Sequence, residues 1–452
     1  MNTRKASFPD DLSAALQQGQ LTRRHMLWLM AVAGGGVVTG CAVNPATGRR
    51  QFMLMSTAQE VEIDSEHSPH QFSADYGPLQ DDGLNDYIAE TGGKIAELSH
   101  RPDMPYSFRG VNANYINAYA FPGGSIAITR GMLLEMENES QMAGLLGHEV
   151  AHVTARHTAQ RMTQHAVTGL ILAGAGAILA DRAGDQEAAL AMGLGGIATG
   201  VLLARYSRGD EREADQFGMD YMVKAGHNPK GMAELMDVLR RQAPERGSML
   251  EQIFATHPMG EERYRTARER IEEEYGGYRD RDSGRERYMD HTARLRELEP
   301  AIRLQQDAED ALRRERHDRA ESALKESLEK APEDYTGLVL MGKTLMMQER
   351  HGEARRWLDQ AMEVYPEEAQ AHHLAGVSAL HDDEPRAALE RFRHYREILP
   401  GNPNTDFFIG LSHERLGERE QAARAYRRFL DTGVSGPQAD YARERLVEWG
   451  VG

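Results

Sequence analysis

The chain has a single cysteine, Cys41, among 452 residues. No internal disulfide is therefore possible, and no zinc site can be built from cysteine thiolates. An excess of positive charge is also missing. The net charge is -17, with Arg-rich and Glu-rich segments interleaved in the C-terminal half, which argues against general nucleic-acid binding. Long apolar runs are scarce as well. Met26 to Thr39 is too short to span a bilayer comfortably, and the Gly/Ala/Leu-rich stretches Ala166–Ala180 and Ala188–Ala204 each fall short of the ~20 residues of a typical spanning helix. These two stretches, separated by Asp181 to Glu187, read as tightly packed helices; the alternative is a hairpin dipping into a membrane. The chain is too long for one compact core, so two or three domains are expected.

The lone cysteine is informative through its position. Thr22-Arg23-Arg24-His25-Met26-Leu27 opens a charged-then-apolar pattern that ends in Val38-Thr39-Gly40-Cys41. Residues 1–41 resemble a bacterial lipoprotein export signal, with Cys41 as the lipidation site. The Arg23-Arg24 pair resembles a twin-arginine signal, with Sec export as the other route. Ala42, where an Asp would signal inner-membrane retention, leans towards the outer membrane. The rival is an uncleaved N-terminal anchor; either way the rest of the chain is exported and held at a membrane.

What is present centres on Gly147-His148-Glu149-Val150-Ala151-His152, an H-E-x-x-H motif in an apolar helical stretch from Gln141 to His157. Residues four apart lie about 40° apart around a helix, so His148 and His152 project from one face. That spacing suits two nitrogen ligands of one Zn²⁺, with Glu149 placed to take a proton from an activated water. Ala143, Leu145, Leu146, Val150 and Val153 make the helix largely buried, so its polar turn needs a cation to compensate it. A zinc hydrolase also needs a third protein ligand. His157 is tempting but lies about 140° away around a continuous helix. The metzincin pattern, H-x-x-G-x-x-H after the first pair, is absent. Glu211 and Asp215 share one face of an expected helix, where one could ligate and the other hydrogen-bond a ligand histidine. By composition alone they could equally be a solvated acidic face beside Asp210 and Glu213.

Around this centre, Ser56-x-x-Gln59 reads as a capping box and Asp86–Leu98 as a helix with Ile88, Ile95 and Leu98 on its apolar side. Pro105–Thr129 reads as a small sheet turning at Pro122-Gly123-Gly124. Ser125-Ile126-Ala127-Ile128-Thr129 alternates; an edge strand there would let Ile126 and Ala127 bind a substrate peptide by strand addition, and an ordinary packed hairpin is the other reading, compatible with the first.

Asn117-Ala118-Tyr119-Ala120-x-Pro122-Gly123-Gly124, Gly147-His148-Glu149-x-x-His152 and Ser207-Arg208-x-x-Glu211-x-Glu213-Ala214-Asp215 occur in that order. Together they resemble the gluzincin zinc metallopeptidase family of CaaX prenyl protease 1 and HtpX, closest in layout to its periplasmic BepA-like protease-chaperones. The likeness covers roughly Pro45 to Arg270. It implies one zinc held by His148, His152 and Glu211, with Glu149 as general base and Asp215 orienting a ligand histidine. Arg208 would lie near the substrate or the Glu211 helix. Thr256-His257-Pro258 resembles a context in which the histidine comes close to the active site, and His257 is expected as a regulatory metal ligand. Without long spanning helices, a prenyl-protein substrate buried in the bilayer is disfavoured.

Beyond Gly276-Gly277 an internal repeat appears at a period of 34: Pro332, Pro366 and Pro400; Gly342, Gly376 and Gly410; Ala320, Ala354, Ala388 and Ala422; Leu324, Leu358, Phe392 and Tyr426. This is the tetratricopeptide pattern, with about three and a half to four helix pairs. The expected architecture is mainly α: an α+β zincin-like catalytic domain with a small sheet over 42–275, a linker over 276–300, and an α-solenoid over 301–452. The expected activity is an exported zinc endopeptidase of misfolded or misassembled outer-membrane proteins that also assists envelope assembly. Its repeats would contact the outer-membrane assembly machinery. The alternative is a chaperone or assembly scaffold with minor proteolysis.

Overall fold

The computed structural model describes residues 41–163, 206–241, 253, 256–258 and 260–451. The segment before Cys41, read above as an export signal, and the Ala166–Ala204 region lie outside the described residues. A hairpin of β1 (Cys41–Val43) and β2 (Arg50–Phe52) comes first. Helix α1 (Thr57–Ala74) follows, opened by the Ser56–Gln59 capping box expected from sequence. Helix α2 (Asp82–Glu97) begins four residues earlier than its apolar pattern, because the Asp81 side chain accepts from Leu84 N. Ile88 and Ile95 on its apolar side are fully buried, whereas Leu98, just past the helix end, is exposed.

The Pro105–Thr129 segment forms a sheet of β3 (Ser107–Val111), β4 (Ala118–Ala120) and β5 (Ser125–Thr129), in spatial order β3-β5-β4. β5 runs parallel to β3 and antiparallel to β4. β5 is thus the central strand, and both its backbone edges are already paired. The expectation that Ile126 and Ala127 sit on an edge strand and receive a substrate strand is corrected here: both side chains are fully buried. The alternation is real, but it divides two interiors and not an interior from solvent. Phe108, Ala118, Ala120, Ile126 and Ile128 face the core of the N-terminal domain. Val111, Tyr119 and Ala127 face a second core shared with the C-terminal array.

Beyond the sheet come α3 (Arg130–Glu135), α4 (Glu139–Thr154), α5 (Arg208–Lys224), α6 (Lys230–Arg241) and α7 (Glu261–Glu273). The 276–300 segment, expected as a linker, is folded onto the N-terminal domain as α8 (Arg285–His291) and α9 (Ala293–Glu297). Tyr288 is fully buried and donates to Leu133 O at 2.6 Å, and Arg296 donates to Met136 O at 2.6 Å. The polar composition hid these two anchors.

The array contains four helix pairs: α10 (Glu299–Arg313) with α11 (His317–Lys330), α12 (Tyr335–Met347) with α13 (His351–Val364), α14 (Gln370–His381) with α15 (Pro385–Ile398), and α16 (Pro403–Arg415) with α17 (Arg419–Asp431). A single helix, α18 (Pro437–Glu448), covers the end. The repeat register explains its residues. A Cβ at Gly342, Gly376 or Gly410 would lie 2.7 Å from Leu358, 2.8 Å from Phe392 or 2.6 Å from Tyr426. Each glycine therefore makes room for the large residue at the matching position of its partner helix.

The array is not a detached tail. Arg130, 2% exposed, pairs with Asp334 Oδ2 at 2.7 Å and donates to Gln305 and Asn114. Thr336 donates to Asn112 O at 3.0 Å, and Gln370 to Ser73 O at 3.1 Å. Removing one partner of a buried ion pair strands the other charge, at about 3–5 kcal/mol. Arg130→Met should therefore lower stability by about that amount in denaturant unfolding. Lys94→Met, which breaks the exposed Lys94–Glu90 pair, should leave the unfolding midpoint nearly unchanged. Equal losses in the two variants would show that the Arg130 junction does not hold the domains together.

Candidate metal centre

Helix α4 is capped by Asn138, whose side chain accepts from Gln141 N, and every residue from Glu139 to Thr154 is buried. It can be buried so completely because its glycines let neighbours touch its backbone. A Cβ on Gly147 would lie 2.6 Å from Gly218 O in α5, and one on Gly218 would lie 2.7 Å from His148 N. This crossing brings Glu211, two helical turns before Gly218, against His148 and His152.

One ligating atom from each of His148, His152, Glu211 and His257 lies within 4.8 Å of the others, all four residues buried. His152 Nε2 is 3.1 Å from His148 Nε2 and 3.4 Å from Glu211 Oε1. His257 Nδ1 is 3.3 Å from His148 Nε2 and 3.1 Å from Glu211 Oε1. Donors on one tetrahedral zinc, at bonds of ~2.0–2.2 Å, stand ~3.3–3.6 Å apart, so the spacing and the N/O donor set both fit such an ion. Glu149 Oε1 lies 3.8 Å from His257 Nε2, while its buried Oε2 has no hydrogen-bond partner among the described residues.

Electrostatics divide the three acids at the site. Burial raises the Glu149 pKa, with Glu211 adding to the effect and His257 and His148 opposing it. Burial pushes Glu211 up too, but His257, His152 and Arg263 outweigh it and hold that carboxyl well below its usual range. Asp215 behaves likewise, burial being outweighed by Arg263 and His148. Asp215 Oδ1 lies 3.0 Å from His148 Nδ1, the nitrogen facing away from the cluster.

Sequence reasoning missed Arg263. Its guanidinium binds both Asp215 oxygens at 2.6 Å and Glu211 Oε2, leaving Glu211 Oε1 for the cluster. Lying in a Glu-rich amphipathic helix, it reads as a surface residue; only the need of two buried carboxylates for a counter-charge pointed to it. Tyr206 was missed as well. Its ring stacks on His152 with centroids 3.7 Å apart, and its hydroxyl is held by Thr158 at 2.8 Å.

His157 is better placed than helical geometry suggested. Helix α4 stops at Thr154, Arg156 takes a left-handed turn at φ 61, and residues 157–163 form a new helix. His157 Nδ1 then lies 3.0 Å from His152 Nδ1, on the outer side of that ring and outside the four-residue cluster. Arg208, the first residue of α5, is exposed and lies outside the cluster. Cys41 opens β1, the strand leading to Asn44.

Residues 83–271 match the family model described as Peptidase family M48, and residues 311–376 match a tetratricopeptide repeat model. The chain is 34% identical over 199 residues to a putative beta-barrel assembly-enhancing protease of Vibrio cholerae, covering 42% of this chain and 40% of that protein. It is 31% identical over 230 residues to the beta-barrel assembly-enhancing protease of Escherichia coli, covering 50% and 46%. It is also 31% identical over 167 residues to the Escherichia coli metalloprotease YcaL, covering 37% and 63%. The matches to the two assembly-enhancing proteases thus span less than half of those relatives' length.

The Gly147–Gly218 approach makes a sharp expectation. Alanine is the better helix former by ~1 kcal/mol, so Gly218→Ala would stabilise an isolated α5. Here the clash should prevail. The variant should lose about 1–3 kcal/mol of stability, as overpacked cores do, and bind metal more weakly by titration. Wild-type stability and affinity in that variant would refute the close crossing.

Proposed function

We propose that this chain, with its M48 peptidase segment followed by tetratricopeptide repeats, is an exported zinc-dependent endopeptidase acting on misfolded or misassembled outer-membrane proteins. The observation that carries this reading is the buried group of three histidines and one carboxylate, with Glu149 Oε2 unpartnered beside it. Zinc bound there would supply electrophilic assistance to a carbonyl oxygen and a water acidic enough to attack near neutrality. His148, His152 and Glu211 would hold the ion. Asp215 orients His148, and Arg263 fixes Asp215 and the outer oxygen of Glu211. Glu149 takes the attacking water's proton and delivers it to the leaving nitrogen; its raised pKa suits a group that both accepts and returns a proton. Peptide capture by strand addition fits β4, one of the two outer strands of that three-stranded sheet, better than the central β5.

His257 gives the site a second state. With His257 Nδ1 beside His148 and Glu211, the fourth donor position belongs to the protein, and the enzyme rests closed. Withdrawal of the Thr256–Pro258 segment by a substrate or partner frees that position for water. This closed arrangement also supports the rival reading, a chaperone or assembly scaffold with minor proteolysis. In both readings lipidated Cys41 tethers the chain at the outer membrane after twin-arginine or Sec export. The repeats meet envelope proteins and their assembly machinery. The M48 segment and the assembly-enhancing relatives support the protease reading.

Two variants test it by zinc content and casein cleavage. Glu149→Gln should keep zinc and lose cleavage by ~10²–10⁴-fold. His257→Ala should also keep zinc but cleave unfolded substrate and itself faster than wild type. Unchanged cleavage in Glu149→Gln would remove the general-base role, and a His257→Ala variant no faster than wild type would remove the gate.

A further inference from the structure

Resting on the metallopeptidase reading, we infer that Asn44, Glu213 and His157 form a positioning relay that holds His152 with its Nε2 lone pair directed at the metal cluster. His152 Nε2 is the nitrogen that faces Glu211 and His148. A neutral imidazole with its lone pair on Nε2 carries its proton on Nδ1. That Nδ1 lies 3.0 Å from His157 Nδ1. Two N–H groups cannot face each other there, so His152 donates and His157 accepts. The His157 proton must then sit on Nε2, which lies 3.4 Å from Glu213 Oε1 and 3.9 Å from Asp210 Oδ1. Both partners of that nitrogen are carboxylates, able only to accept when ionised. Every proton in the series therefore points away from the cluster.

The far end is fixed by the N-terminal hairpin. Asn44 Oδ1 accepts from Ala46 N at 2.9 Å and Thr47 N at 3.1 Å, which leaves no choice of amide orientation. Asn44 Nδ2 then donates to Glu213 Oε1 at 3.2 Å and to Ala155 O at 3.1 Å. Ala155 O belongs to the turn that re-aims His157. The same turn is held at Arg156, which donates to Glu60 Oε1 at 2.9 Å and to Met55 O at 2.7 Å. His148 is oriented by a carboxylate directly, through Asp215; His152 is oriented by one at a distance, through an intervening imidazole. Such outer partners set the tautomer and basicity of a ligand histidine, and their loss costs ~10–100-fold in metal affinity. The relay also ties the metal centre to the hairpin that begins at Cys41, the residue read as the membrane attachment point.

The test is chelator competition on the full-length protein, with zinc as the probe, and the visible spectrum of the cobalt-loaded form as a second readout. His157→Ala should weaken zinc binding ~10–100-fold and shift the cobalt bands. His157→Gln, whose amide oxygen can accept from His152, should restore part of the loss. Glu213→Gln and Asn44→Ala should weaken binding in the same direction by smaller factors. If Glu213→Gln, a half-exposed and near-isosteric change, and His157→Ala both match wild type in affinity and spectrum, the relay is overturned. Should His157→Ala fail to fold, Glu213→Gln decides the matter alone. A wild-type protein that binds no zinc, or a His148→Ala variant that still binds it normally, would instead overturn the metallopeptidase reading.

Discussion

The structure depends on two glycines meeting. Where Gly147 of α4 crosses Gly218 of α5, backbone lies against backbone, and no side chain fits between them. The carboxylate of Glu211 is thereby carried into a fully buried position against two imidazoles on the facing helix. Much else about the centre follows from that burial. A carboxylate there needs counter-charge, which Arg263 supplies from α7 and which a cation held by the histidine cluster would supply from the other side. Asp215, one turn further along α5, then falls beside His148 Nδ1.

The sheet plays the corresponding part at the scale of domains. With only three strands it has no solvent face, because alternate residues enter the core beside the histidine cluster and the core shared with the repeats. The first repeats are thus engaged by the chain's own α1 and sheet. Burial raises the pKa of Asp75, and hydrogen bonds donated by Gln71, Tyr119 and Tyr115 offset part of that rise. Next to this junction Arg130 reaches across to Asp334. A repeat array held this way is anchored to the domain that carries the histidine cluster. Movement of one against the other would have to expose apolar surface and break buried polar contacts together. If the repeats recruit partners, they present them at a set position relative to the metal cluster.

Local pattern carried a large share of this in the sequence. H-E-x-x-H on a helix states its chemistry through a spacing of four, because helical pitch alone aligns the two imidazoles. The period of 34 named the helix pairs and even the glycine that faces each large residue, because every repeat solves the same packing problem. The capping box at Ser56 and the sheet near Pro105–Thr129 were legible for the same reason: each is decided within a few residues.

Which surfaces those elements would present was decided only by the tertiary structure. Alternation in Ser125–Thr129 announced a strand with two unlike faces but could not say that both were interior or that the strand was central. Arg263 and Tyr288 sit in segments whose composition is that of a surface, and they are buried because partners distant in sequence satisfy them. His157 was set aside on the geometry of an unbroken helix; a single left-handed residue, Arg156, held by contacts made about a hundred residues upstream, turned it back towards His152. The sequence by itself determined which residues can ligate, cap, turn and repeat, since those properties are local. Tertiary structure decided which of them meet, since burial and charge compensation are settled between elements far apart in the chain.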